Sequence, residues 1–204
     1  MRPFTLGLQV LTYGASWADA LATVRLADRL GYDQLFAADH LHATGGDPFQ
    51  PFFEGWTALA AWAQATEHVE LGLLVGANTF RNPGVVAKMA VTLDHISGGR
   101  AILGLGAAWE EGEQRAHGID PGRGLGQRID WLDESLEIIR ALLDGQTVTH
   151  HSERYQFDAV RHAPLPMLRP MPAMIGASGE RKCLRIVARH GTLWHLWGPP
   201  DDAS

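Results

Sequence analysis

Short apolar runs alternate along the chain with longer stretches in which apolar residues return every three or four positions. That is the signature of strands alternating with amphipathic helices. Phe4 to Val10 predicts a first strand. Ser16 and Asp19 form a capping-box-like pair, behind which Trp17, Ala20, Leu21, Val24, Ala27 and Leu30 share one helical face, with Gly31 as the stop. Leu35 to Ala38 predicts a second strand, and Phe52 to Thr66 a helix facing inward through Trp56, Leu59, Ala60 and Ala63. Val69 to Val75 predicts the third strand. Asn82-Pro83 then supplies a cap residue and a first-turn proline for a helix ended by Gly98-Gly99. Ala101 to Leu105 predicts a fourth strand, and Ile129, Leu132, Leu136, Ile139 and Leu143 mark a helix over Arg128 to Leu143. From Gln146 to Pro172 the rhythm breaks. Val148 and Tyr155 to Phe157 predict a small hairpin, and Pro164, Pro166, Pro170 and Pro172 exclude a helix after it. Ala173 to Ile175 predicts a fifth strand, Glu180 to His190 a helix, and Thr192 to Trp197 a sixth strand.

Strands that are apolar throughout are buried on both faces, and repeated strand–helix units imply a parallel sheet. The architecture is then an open doubly wound sheet or a barrel. A closed (β/α)8 barrel usually takes about 250 residues. Six strands within 204 residues predict an α/β TIM-type barrel that is incomplete, its last two units missing. The whole of 1–204 reads as one domain with an insertion at about 146–172.

Composition narrows the function classes. With 46% hydrophobic residues the chain can build a core and is not a disordered segment. Seventeen basic residues against 23 acidic ones give a net charge of −6, which argues against a nucleic-acid partner. The single Cys183 excludes an internal disulfide and a cysteine-based zinc site. The sequence carries no convincing signal peptide and no apolar run of about 18 residues, so a cytoplasmic protein without membrane contact is expected. No metal site is predicted; His150-His151 are neighbours on a strand and would point apart.

In parallel architectures the chemistry sits beyond the carboxyl ends of the strands. After the second strand comes Asp39-His40, an imidazole able to move protons near neutrality beside a carboxylate able to fix its tautomer. After the fifth comes Gly176-Ala177-Ser178-Gly179, where close backbone approach and the amides of a helix start suit a phosphate; a tight capped turn is the other reading. After the fourth come Ala107 and Trp109, the latter placed to wall a planar ring. Glu110, Glu111 and Glu113 read as a solvated helix start.

Phe80-Arg81-Asn82-Pro83, Ala87-Lys88-Met89, Leu93 to Arg100, and Gly104-Leu105-Gly106 with Trp109 resemble the luciferase-like monooxygenase superfamily. Asp39-His40 and Ile175 to Gly179 are similar to it as well. The resemblance runs from residue 4 to about 197 and implies a (β/α)8 barrel that binds a flavin or the deazaflavin F420. Within it the chain looks most like the F420-dependent branch, with FMN as the alternative cofactor. It implies hydride transfer to or from a small organic substrate, His40 as acid/base and Asp39 as its orienter. It further implies a non-proline cis peptide joining Leu74 and Val75 under the ring, Gly176 to Gly179 on the cofactor phosphate, and a homodimer. The chain departs from the family in three ways. Trp109 stands where some relatives carry a catalytic Glu. Ala43 and Thr44 stand where some carry an aromatic after the His. The last two strand–helix units are absent. The last departure keeps a second reading open, a non-catalytic cofactor-binding or self-associating remnant.

Overall fold

The computed structural model describes residues 4–167 and 170–197; the two ends of the expected 1–204 domain lie outside them. In chain order the elements are β1 (Gly7–Val10), α1 (Trp17–Arg29), β2 (Gln34–Ala37), α2 (Gly55–Ala65), β3 (Glu70–Leu73), β4 (Gly76–Ala77), α3 (Pro83–Ser97), β5 (Ala101–Gly106), α4 (Glu111–Ala116), α5 (Leu125–Leu143), β6 (Val148–His151), β7 (Gln156–Val160), β8 (Ala173–Gly176), α6 (Cys183–His190) and β9 (Leu193–His195). The main sheet is parallel throughout and runs β1-β2-β3-β5-β8-β9, with β4 also paired to β5. Six strand positions in sequence order make the incomplete barrel expected from the pattern. The hairpin β6–β7 is a separate antiparallel pair between α5 and β8.

Alternation along each strand splits the core in two. Leu35, Ala37, Leu71, Leu73, Leu103, Leu105 and Ile175 face the helices and join Trp62, Leu132, Leu136 and Ile139 in one large cluster. Phe36, Ile102 and Met174 face the other way, into the barrel interior, with Leu74, Val75 and Leu193 packed on them. Full burial of a leucine or isoleucine contributes about 1.5–3 kcal/mol, so the α5 stripe alone anchors that helix firmly.

The caps that the sequence predicts are made. Ser16 accepts the Asp19 amide at 3.1 Å and donates to the Asp19 carboxylate at 2.6 Å. Asn82 accepts the Gly84 amide at 2.8 Å, with Pro83 in the first turn.

The expected third strand is broken in two. Leu71 and Gly72 pair with Ala101 and Ile102, whereas Gly76 and Ala77 pair with Leu105 and Gly106. Three residues, 73 to 75, therefore oppose two, which is a bulge. The Leu74–Val75 peptide within it is cis. Gly104 lies opposite, where an added Cβ would fall 1.8 Å from the Leu73 carbonyl oxygen, so only glycine fits.

Candidate functional site

The carboxyl ends of β2, β4 and β5 bring the chemistry-bearing side chains together. Asp39 is buried directly after β2. Its Oδ2 accepts the Ala77 amide at 2.7 Å and Arg81 Nη1 at 2.8 Å; its Oδ1 accepts Arg81 Nη2 at 2.9 Å. Arg81 Nη2 also reaches Glu54 at 2.8 Å, and Glu54 caps α2 through the Trp56 and Thr57 amides. Burial pushes the Arg81 guanidinium down, but the hydrogen bonds and charge of Asp39 outweigh it and hold the pKa above the ordinary value.

His40 does not pair with Asp39, as the resemblance implies. Its Nδ1 lies 2.8 Å from Oε2 of Glu113, a residue expected to be solvated on a helix start and in fact 1% exposed. The other oxygen, Oε1, accepts the amides of Leu41 and, at 3.1 Å, His42. The orienting carboxylate thus comes from α4, 73 residues away. Asp39 is instead committed to Arg81, because a bidentate guanidinium is the stronger partner for it. Burial pushes the Glu113 carboxyl up, yet the His40 hydrogen bond and the two amides together hold it below the usual range.

Trp109 is 63% exposed and meets the His40 ring edge-on, with centroids 5.8 Å apart. Leu74, Val75 and Ala107 are half-buried, an apolar shelf at the strand ends. Val75 lies across two glycines: an added Cβ would come within 2.7 Å of Val75 Cγ2 at Gly106 and within 2.4 Å at Gly176. The Gln9 side-chain amide donates to the Leu74 carbonyl at 3.0 Å. Tyr13, from the loop after β1, packs its ring against Phe52 with centroids 5.3 Å apart. Its hydroxyl is 2.6 Å from Thr44 Oγ1.

The Gly176 to Gly179 turn is placed as expected after β8, but its helix is not. Helix α6 begins at Cys183 rather than Glu180, so the turn and the helix start are separated by further loop. Ser178 and Gly179 are exposed, Gly179 has φ +121°, and the Ala177 amide donates to the His195 carbonyl at 3.2 Å. His150 and His151 do diverge, toward Glu134 at 2.6 Å and Asp158 at 3.2 Å. Asp133, Glu137 and His190 converge on α5 and α6, but Arg189 already bonds Glu137 at 2.6 Å and Asp133 at 3.4 Å.

Glu113 and Arg81 are the members that pattern reasoning missed. Arg81 belongs to the Phe80 to Pro83 motif, whose pattern assigns it no role, and Glu113 differs from the half-buried Glu110 and Glu111 in a burial that only tertiary packing decides.

A carboxylate-held imidazole and a half-buried apolar shelf share the carboxyl rim of an incomplete parallel barrel. The chain belongs to the luciferase-like monooxygenase family, whose pattern matches residues 2–204. An uncharacterized protein of Mycobacterium tuberculosis is 30% identical over 188 residues, 85% of this chain and 65% of that one. A putative coenzyme F420-dependent oxidoreductase of the same organism is 30% identical over 189 residues, 86% of this chain and 50% of that one. A 4-hydroxyprotoasukamycin monooxygenase of Streptomyces nodosus subsp. asukaensis is 28% identical, over 90% of this chain and 48% of its own. The chain therefore spans about half to two thirds of the length of these curated relatives. Among solved structures, an F420-dependent secondary alcohol dehydrogenase shares the fold with a TM-score of 0.83 at 23% identity, over 94% of this chain and 57% of that one. No helix among the described residues is long and apolar enough to cross a membrane.

Proposed function

We propose that the chain forms the cofactor-binding and proton-handling part of an oxidoreductase that transfers hydride between F420, or alternatively FMN, and a small organic substrate. The observation that carries this reading is the His40 imidazole, fixed by Glu113 just past the end of β2, the strand that pairs with β3 immediately before the half-buried Leu74 and Val75. The similarity to a putative coenzyme F420-dependent oxidoreductase supports the deazaflavin, and the similarity to a monooxygenase keeps reduced flavin as the alternative.

The residues fit such a group. Leu74, Val75 and Ala107 form a half-buried apolar shelf, and the glycines at 106 and 176 leave room for Val75 where an added Cβ would strike it. Leu74, Val75, Ala107 and Trp109 would hold the ring, and Gly176, Ala177, Ser178 and Gly179 the phosphate of its tail. When bound, the ring supplies the two-electron chemistry that protein side chains lack. His40 carries the proton coupled to that transfer, at Nε2, the ring nitrogen that Glu113 leaves free. Asp39 holds the Ala77–Arg81 turn rigid against the cofactor, a positioning part rather than a proton relay.

The test is fluorimetric titration of the purified chain with F420 and, separately, FMN, followed by turnover assays. Binding of one cofactor is expected. His40→Ala should lower transfer about 10²–10⁴-fold while cofactor affinity stays within a few-fold. Binding of neither cofactor overturns the proposal, and binding without any turnover favours the non-catalytic reading.

A further inference from the structure

The Glu113 carboxylate has a donor inventory that leaves His40 one protonation pattern. A backbone N–H only donates, so Oε1, which faces the Leu41 and His42 amides, must accept from both. Oε2 faces His40 Nδ1 at 2.8 Å. Among the described residues no lysine or arginine forms an ion pair with Glu113, and His40 is its one titratable partner. The carboxyl is held below its usual pKa range, so near neutrality Oε2 carries no proton to give. Nδ1 must then supply the hydrogen. Nε2 has no hydrogen-bond partner among the described residues, and the ring keeps 16% of its side-chain surface open.

We infer that Glu113 is a positioning residue that locks the neutral His40 ring as the Nδ1–H tautomer, so that Nε2 presents a lone pair to the site. In that tautomer Nε2 accepts a proton, and it donates one only after it has taken a proton up. The catalytic meaning rests on the oxidoreductase reading above; the tautomer itself does not.

Glu113→Gln makes the claim sharp. The Leu41 and His42 amides still require an acceptor, so the carboxamide oxygen must take their place. The carboxamide NH₂, which only donates, is thereby turned onto Nδ1. The variant keeps the side-chain volume and inverts the tautomer, moving the proton to Nε2.

The experiment is long-range ¹H–¹⁵N correlation NMR on the cofactor-free chain with ¹⁵N-labelled histidine, at about pH 8, above the range where imidazoles ordinarily titrate. The His40 signals are assigned by their absence in His40→Ala. The wild type is expected to show protonated Nδ1 and bare Nε2, and Glu113→Gln the reverse. A wild-type ring protonated at Nε2, or a variant with unchanged tautomer, overturns the inference. If the variant does not fold, the wild-type spectrum decides alone. Because no cofactor is present, failure of F420 or FMN to bind sinks the proposed function without touching this result.

Discussion

The Arg81 guanidinium closes on the Asp39 carboxylate through two parallel hydrogen bonds, Nη1 to Oδ2 at 2.8 Å and Nη2 to Oδ1 at 2.9 Å. Asp39 keeps 1% of its side-chain surface exposed and Arg81 16%. The pair ties the end of β2 to the start of α3, and Glu54 brings in α2. Removing one member strands the other largely shielded from solvent. Arg81→Ala is expected to cost about 3–5 kcal/mol. Arg81→Lys keeps the charge and loses the fork, so it should fall between. Urea denaturation of the three proteins checks this. Equal stability of the wild type and the alanine variant would mean that the pair is not closed in solution.

The barrel was legible because its physics is local. The three-to-four periodicity of α5, the Ser16 and Asn82 caps, and the unbroken apolar run of β5 each lie within one segment. The boundaries shifted where tertiary pairing decides them. The expected third strand splits because residues 73 to 75 oppose only two on β5, a mismatch visible only with both strands aligned. The cis Leu74–Val75 bond came from the family resemblance and not from composition. Asp39-His40 stood out as a pair in sequence, yet adjacency misled. Asp39 turns to Arg81 and His40 to Glu113. A partner 73 residues away leaves no trace in a local pattern.

The glycines behind Val75 give a second test. A Cβ at Gly176 would lie 2.4 Å from Val75 Cγ2, and one at Gly104 would lie 1.8 Å from the Leu73 carbonyl oxygen. The first clash is with a side chain that can be trimmed, the second with backbone that cannot. Gly176→Ala is expected to cost about 1–3 kcal/mol. Val75→Ala in the same chain should recover part of that cost, giving a coupling of about 0.5–3 kcal/mol in a double-mutant cycle. Gly104→Ala should cost more than about 4 kcal/mol, with no rescue from Val75→Ala. Strict additivity at 75 and 176 would contradict the packing described.

The acid side of the stability profile is set in part by Asp28, far from the site. Its carboxylate accepts the amides of Glu67 at 2.9 Å, His68 at 3.0 Å and Val69 at 3.0 Å, pinning the lead-in to β3 onto α1. Burial raises the pKa, but the three amides outweigh it and the net shift is downward. A carboxyl whose folded pKa lies below its unfolded one contributes stability that is full above the unfolded value, about 3.9, and drains away as pH falls through the folded value. Asp28→Asn keeps the shape but lacks the charge. At pH 7 it should cost about 1–3 kcal/mol, the worth of hydrogen bonds to an ionised group. As pH drops below about 4 the wild type protonates and loses that advantage, so the two denaturation curves should converge. Urea midpoints measured from pH 7 down to about pH 3 follow the difference directly. A gap that stays constant across that range would assign the cost of the variant to lost shape rather than to the charged carboxylate.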